Sequence, residues 1–198
     1  MEELTGKNIG FAFTGSYCTL NTVFPALKTI CQKCKQIYPI FSSAVAETDT
    51  KYGTATTWKK KIKEITGSEI ITTIPEAEPI GPEKLLDLLI IAPCTGNTLA
   101  KIAGGIIDET PVMAAKAQLR NSRPVLIALA TNDGLGLNAG NLAKLLKTEN
   151  IYFVPFGQDN IYDKPNSLVA RMDLIYDAAR RAVSGQQLQP VLIEHRGI

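Results

Sequence analysis

The chain has 198 residues, of which 45% are hydrophobic and 20% are charged, and its formal net charge at pH 7 is +2. This length and composition suit one folded domain with its own core and exclude a disordered chain. A small, scattered positive charge argues against nucleic acid as a partner. No apolar run reaches the roughly 18 residues that span a bilayer, and residues 1–8 lack the apolar core of a signal peptide. We therefore expect a cytoplasmic protein without a membrane segment.

Two of the four cysteines, Cys31 and Cys34, form a close pair inside a helical pattern. A zinc site needs more ligands than this pair offers, and the only histidine is His195, near the end of the chain. We expect reduced thiols and no metal; a zinc or redox site at the pair is the alternative.

Short apolar runs alternate with segments of helical periodicity along the whole chain. In chain order, strands are predicted at residues 7–13, 38–41, 87–92, 124–130 and 151–155, and helices at residues 20–37, 52–65, 98–104, 111–120, 138–147 and 166–184. This alternation predicts a doubly wound α/β domain, a Rossmann-like or flavodoxin-like three-layer sandwich with a mainly parallel sheet of about six strands. The domain is expected to cover residues 1–184, with a tail at 185–198 that is loose or docked on a neighbour.

Four loops that follow predicted strands are dense in Ser, Thr, Asn and Gly, at residues 14–19, 41–44, 93–98 and 131–136. In doubly wound sheets ligands bind outside the carboxyl ends of the strands, where the strand order reverses. These four loops are therefore the candidate ligand site.

The first loop offers Gly15, Ser16 and Thr19 at a predicted helix start. Free backbone N–H groups and the helix dipole favour an anion there, so the loop suits a phosphate. A tight turn with a hydroxyl N-cap is the alternative. The loop is not a Walker motif, because no Gly-Lys-Ser or Gly-Lys-Thr follows.

The third loop places Asn97 directly after a buried strand, between a rigid proline and a helix. Its amide both donates and accepts, and would suit the imide edge of a flavin or a substrate carboxyl. A helix-capping role for Asn97 or Thr98 is the alternative. Cys94 is a potential nucleophile, but no basic partner for it is evident in the sequence.

Residues 93–98, Pro-Cys-Thr-Gly-Asn-Thr, resemble the Pro-Ala-Ser-Ala-Asn-Thr pattern of the flavin-containing cysteine decarboxylases and flavin prenyltransferases. Residues 99–105 and Asp108 also fit, and the resemblance covers roughly residues 7 to 155. It implies FMN as the cofactor, with Asn97 and Asn132 beside the reacting groups. The cofactor-binding residues that it implies are Thr14, Gly15, Ser16, Ser42, Ser43, Pro93, Cys94, Thr95, Asn97, Thr98 and Thr131.

Within this family, residues 44–49, 92–98, 131–138, 153–159 and 164–167 most resemble the B subunit of a two-subunit oxidoreductase. This resemblance implies oxidation of a small-molecule substrate together with an A subunit that carries the NAD(P) site. It also implies a homo-oligomer, a trimer or a multiple of one, in which a neighbouring subunit completes the flavin site.

Two departures from the family pattern leave other functions open. Residues 78–86 lack the histidine of the cysteine decarboxylases, and Thr131 and Asn132 replace the arginine-glutamate pair of the prenyltransferases. A non-catalytic scaffold for the A subunit, or a stand-alone decarboxylase or prenyltransferase, is therefore the alternative. Asp108 and Asp133 are the nearest acid or base candidates, although both suit solvated or helix-capping roles.

Overall fold

The computed structural model describes residues 4–193. Within these residues the strands are β1 (Asn8–Phe13), β2 (Gln36–Phe41), β3 (Leu88–Cys94), β4 (Val125–Thr131), β5 (Ile151–Phe153), β6 (Phe156–Asn160) and β7 (Lys164–Ala170). The helices are α1 (Tyr17–Lys33), α2 (Ser43–Glu47), α3 (Ala55–Thr66), α4 (Ile74–Ala77), α5 (Gly96–Gly104), α6 (Thr110–Arg120), α7 (Ala139–Leu146) and α8 (Ile175–Val183).

The strands form one mostly parallel sheet in the order β2-β1-β3-β4-β7-β6, and β5 also pairs with β4. Strands β1 to β5 are parallel, whereas β6 and β7 are antiparallel to their neighbours. Helices α1, α3 and α8 form one packed group and α4 to α7 form another, on opposite faces of the sheet. The predicted doubly wound α/β class is confirmed, with seven strands in place of about six.

The two central strands explain why the core lies where it does. Every residue of β3 and of β4 is buried, and their sequences are almost wholly apolar. A strand that is covered on both faces by helices needs this continuous apolar pattern, because it has no solvent-facing side. The continuous apolar runs therefore become the middle of the sheet.

The predicted helix at residues 166–184 is wrong in its first part. Residues up to Ala170 belong to β7, and α8 begins only at Ile175. Leu168 and Ala170 are buried on either side of the half-buried Val169, which is the two-residue period of a strand. The side chain of Asn160 accepts hydrogen bonds from two backbone N–H groups at the tip and closes the β6–β7 hairpin.

The segment after α8, predicted to be loose or docked on a neighbour, is held against its own chain up to Ile193. The side chain of Gln187 accepts from the backbone N–H of Phe153 at 2.8 Å and donates to its carbonyl at 2.6 Å. Further on, the N–H of Phe156 donates to the carbonyl of Val191, and the N–H of Ile193 donates to the carbonyl of Phe156, both at 3.0 Å. The segment is thus attached to β5 and β6 of its own chain, and the predicted tail from 194 onward lies outside the described residues.

Among residues 4–193, no helix combines the length and the apolar character that crossing a bilayer requires.

Candidate functional site

The strand order reverses next to β1, because the chain places β2 on one side of it and β3 on the other. The loops that follow β1 and β3 separate there and leave a crevice at the carboxyl edge. A cavity of about 610 Å³ opens at this point. Its lining residues are Gly15, Ser16, Tyr17, Cys18, Thr19, Tyr52, Thr95, Gly96, Asn97, Ala130, Thr131, Asn132, Asp133, Asp159, Lys164, Ser167, Leu168 and Val169.

The wall after β1 presents hydroxyl groups at the start of the long helix α1. Ser16 occupies the N-cap but makes no side-chain hydrogen bond to the helix backbone. Its hydroxyl lies instead 3.0 Å from that of Thr19, one turn along. A helix start leaves backbone N–H groups without intrahelical partners, so this wall offers donors to a ligand.

Thr14 ties this wall to the wall after β3. Its hydroxyl donates to the carbonyl of Pro93 at 2.7 Å and accepts from the N–H of Thr95 at 3.0 Å. Thr14 is buried, with 1% of its surface exposed. We assign it a structural role, since both its hydrogen bonds hold the two ligand-facing loops in register.

The wall after β3 begins with a capped helix. Thr95 accepts from the N–H of Thr98 at 3.3 Å and so caps α5, while Thr98 itself is buried behind the wall. Asn97 lies exposed in the first turn, and its amide has no hydrogen-bond partner among residues 4–193. The cap role belongs to Thr95, which leaves the Asn97 amide available to a ligand.

Cys94 is fully buried at the end of β3. Burial raises the pKa of its thiol to about 12, so it is protonated at neutral pH. Burial likewise raises the pKa of Cys31 to about 11, and the pKa of Cys34 is also raised by burial. These thiols do not have the depressed pKa of reactive cysteines.

The wall after β4 is held by a hydrogen-bonded group of three side chains. The Thr131 hydroxyl donates to the Asp133 carboxylate. The amide of Asn138 lies 3.0 and 2.8 Å from the two oxygens of the same carboxylate. Asn132, between Thr131 and Asp133, is exposed and has no side-chain partner in the described part of the chain.

Gly96 allows this group to approach the start of α5. A Cβ atom at this position would lie 2.5 Å from the Thr131 hydroxyl, 2.7 Å from the Asn138 amide and 2.7 Å from the Asp133 carboxylate. Any larger residue would separate the two walls, so the glycine is a packing requirement of the site.

The structure brings six of the predicted site residues to the cavity: Gly15, Ser16, Thr95, Asn97, Thr131 and Asn132. Thr14, Pro93, Cys94 and Thr98 lie buried behind the walls. Ser42 is buried and caps α2 by accepting from the N–H of Val45 at 3.4 Å. Ser43 is exposed next to it and, like Ser42, is not among the residues that line the cavity.

Of the two carboxylate candidates, only Asp133 lines the cavity. Asp108 lies instead in the loop between α5 and α6, where its carboxylate is 2.9 Å from the ammonium of Lys101. Glu109 contacts the same ammonium at 2.7 Å. No group of three His, Cys, Asp or Glu side chains within residues 4–193 is arranged to hold a metal ion.

Sequence reasoning missed the fourth wall, which the β6–β7 hairpin supplies. Asp159, Lys164 and Ser167 line the cavity from this hairpin, and Tyr52 adds a further side chain. The signal that could have located it is the turn sequence around Asn160, with strand alternation after it. Assignment of residues 166–170, the greater part of β7, to a helix concealed it.

A protein-family model described as Flavoprotein matches residues 1–173. The chain belongs to this flavoprotein family. The B subunit of dipicolinate synthase from Bacillus subtilis (strain 168) is 47% identical over 195 residues, which cover 98% of each protein. The family prediction made from residues 93–98 is thus confirmed.

Solved structures of flavoprotein-like folds agree with this assignment. The crystal structure of the dipicolinate synthase B subunit from Bacillus halodurans C matches with a TM-score of 0.89 at 46% identity, over 98% of this chain and 99% of that one. The FMN-dependent cysteine decarboxylase SpaF matches with a TM-score of 0.66 at 18% identity, over 91% of this chain and 99% of that one. The second likeness shows the shared fold alone.

Proposed function

We propose that the chain is the FMN-binding subunit of a dipicolinate synthase, acting with an A subunit to oxidise dihydrodipicolinate to dipicolinate during sporulation. NAD(P) then binds to the A subunit and not to this chain. The protein acts in the cytoplasm as a homo-oligomer, a trimer or a multiple of one.

The observation that supports the flavin site is the cavity of about 610 Å³ in which the starts of α1 and α5 meet the loop after β4. Near-complete coverage of the Bacillus subtilis protein at 47% identity supports the substrate.

The residues present fit a flavin mononucleotide. The cavity volume of about 610 Å³ lies in the usual range for small-molecule sites. Ser16 and Thr19 present hydroxyls at the start of a helix of 17 residues, where a phosphate is favoured. The amides of Asn97 and Asn132 both donate and accept, as the imide edge of a flavin requires.

A bound flavin would supply an acceptor for hydride. The chain itself binds and orients: Ser16 and Thr19 would hold the phosphate, and Asn97 would align the ring. Asn132 would face the substrate, kept in place by its neighbours Thr131 and Asp133. We do not assign Asp133 as the base, because its carboxylate already accepts from Thr131 and Asn138.

A non-catalytic scaffold is the second candidate, and one observation favours it. Both carboxylates of the cavity are engaged, Asp133 with Asn138 and Asp159 with Lys164 at 3.2 Å. A stand-alone decarboxylase or prenyltransferase is less well supported, because residues 78–86 contain no histidine and residues 131 and 132 contain no arginine. Activity that requires the A subunit would separate these functions.

Visible absorption of the purified protein, followed by FMN titration, tests the proposal. Wild type should bind FMN and change its spectrum, and Asn97→Ala should weaken binding by about tenfold, the usual effect of one lost hydrogen bond to a ligand. Asn21→Ala, an exposed asparagine of α1 outside the cavity lining, is the matched control and should bind as wild type. Absence of FMN binding by wild type would leave the scaffold as the better function.

A further inference from the structure

The mouth of the cavity carries a single positive charge among its described lining residues. Lys164 is the only lysine or arginine in that lining, and Asp133 and Asp159 are the only carboxylates. Asp133 is held by hydrogen bonds within its own wall. An anionic ligand that enters the cavity would therefore meet Lys164 as its one charged side-chain partner.

Lys164 is the first residue of β7 and extends from the hairpin over the mouth. Its ammonium lies 3.2 Å from a carboxylate oxygen of Asp159 on β6, and the side chains of this pair are 61% and 44% exposed, respectively. Cys18, in the first turn of α1, lines the same cavity as Lys164. The cavity is therefore lined by this ion pair on the hairpin side and by the start of α1 on another side.

The exposure of this pair makes it exchangeable. An ion pair in water contributes little to stability, because solvent screens it and both side chains lose entropy. The hydrogen bond to Asp159 raises the pKa of Lys164, so the ammonium stays charged at neutral pH. A carboxylate from a ligand could replace Asp159 at little cost and would gain a charge-assisted hydrogen bond inside the cavity.

We infer that Lys164 determines specificity for a carboxylate-bearing substrate, and that Asp159 holds the ammonium over the mouth until the substrate carboxylate replaces it. The inference rests on the proposed function, under which the substrate is a small cyclic dicarboxylate. It assigns a substrate contact to the β6–β7 hairpin, which the motifs of the other three walls do not include. Without Lys164 as its partner, a carboxylate would lose hydration on entering a cavity that is otherwise neutral or negative, which costs free energy.

A purely structural pair makes a different prediction. If the pair only fastened β6 to β7, removing either charge would have the same effect on the hairpin and on every ligand. If Asp159 competes with the ligand, the two removals have opposite effects. Lys164→Gln then weakens anion binding, whereas Asp159→Asn frees the ammonium and strengthens it.

The test uses pyridine-2,6-dicarboxylate, titrated calorimetrically into the full chain in the presence of FMN. Lys164→Gln should lower its affinity about tenfold or more, as expected for a lost charge-assisted contact, and Asp159→Asn should raise it. Lys60→Gln is the matched control, because Lys60 also forms an exposed ion pair, at 4.0 Å from Glu64, away from the cavity. The uncharged pyridine-2,6-dicarboxamide should bind wild type and Lys164→Gln equally.

Three results would overturn the inference. In the first, wild type does not bind the dicarboxylate, and in the second, Lys164→Gln binds it with unchanged affinity. The third is an equal loss of affinity in Lys164→Gln and Asp159→Asn that extends to the dicarboxamide. A parallel FMN titration separates the two proposals. FMN binding with unchanged dicarboxylate affinity in Lys164→Gln would refute the substrate contact alone. If wild type did not bind FMN but Lys164→Gln still had a lower dicarboxylate affinity than wild type, the contact would be supported and the flavin site refuted.

Discussion

The side-chain amide of Asn138 lies 3.0 and 2.8 Å from the two carboxylate oxygens of Asp133. Thr131 donates to the same carboxylate from the end of β4. Asn132 lies between Thr131 and Asp133, so the group fixes the neighbours on both sides of this exposed residue. The start of α7 and the end of β4 are thereby fastened at the edge of the cavity.

Replacement of Asn138 by alanine should destabilise the fold. Asn138 is buried, with 6% of its surface exposed, and its loss would leave the Asp133 carboxylate with one side-chain donor fewer. We expect the free energy of unfolding in urea to fall by about 1–3 kcal/mol. Asn21→Ala, at an exposed position of α1, should stay within about 0.5 kcal/mol of wild type. Equal effects of the two changes would contradict the importance of the group.

Substitution by alanine should have opposite effects on stability at two glycines that lie in the first turns of helices. Gly96→Ala would push a methyl group against Thr131, Asp133 and Asn138 at 2.5–2.7 Å, so it should lower stability and weaken FMN binding. Gly140→Ala, in α7, meets nothing within 4 Å and should raise stability by about 0.5–1 kcal/mol. Thermal unfolding with an FMN titration measures both, and a stabilised Gly96→Ala would show that the walls are further apart than described.

Buried Cys94 should make stability depend on alkaline pH. Burial raises its pKa from the ordinary 9.0 to about 12, so the folded state keeps the proton that the unfolded state loses. The contribution of the protonated Cys94 thiol to the free energy of unfolding is complete below pH 9. It is lost as the pH rises towards the pKa of the folded state, and the free energy of unfolding then falls by about 1.4 kcal/mol per pH unit. Urea unfolding at several pH values above 9 should show a shallower decline for Cys94→Ala than for wild type.

Cys18→Ser provides the control for this pH series, because Cys18 is exposed. It should show the same decline as wild type. Cys31, whose pKa is raised by burial to about 11, should contribute in the same direction, so Cys31→Ala should also flatten the curve. Parallel curves for wild type and Cys94→Ala would contradict the burial of the Cys94 thiol.

Two neighbouring glutamines after α8 should differ in how much they contribute to stability. The side chain of Gln187 exchanges two hydrogen bonds with the backbone of Phe153, whereas the side chain of exposed Gln186 only accepts from the guanidinium of Arg181. Gln187→Ala should therefore lower stability by about 1–3 kcal/mol and speed proteolysis after α8. Gln186→Ala should stay within about 0.5 kcal/mol of wild type. Similar proteolysis of the two variants would refute the attachment of this segment to β5.

Much of the fold could be predicted from the sequence because it is encoded in local patterns. The continuous apolar stretches that form β3 and β4 can be stable only between two layers of helices. The loops rich in Gly, Ser, Thr and Asn that follow them could then be placed at one edge, since parallel strands end together. Asn97 was located in this way, whereas Asn132 was implied by the family resemblance, and both line the cavity.

The β6–β7 hairpin and the hydrogen-bonded group on Asp133 could not be predicted in the same way. β7 pairs with β4 only through Ala130 and Thr131, and the hairpin brings Lys164 to the mouth of the cavity. The sequence by itself determined the layers, the strand-end loops and the family, because each is written in residue periodicity or in a short motif. Only the tertiary structure decided which side chains face the cavity and which fasten its walls, because those contacts join residues distant in the chain and depend on strand pairing that no local pattern specifies.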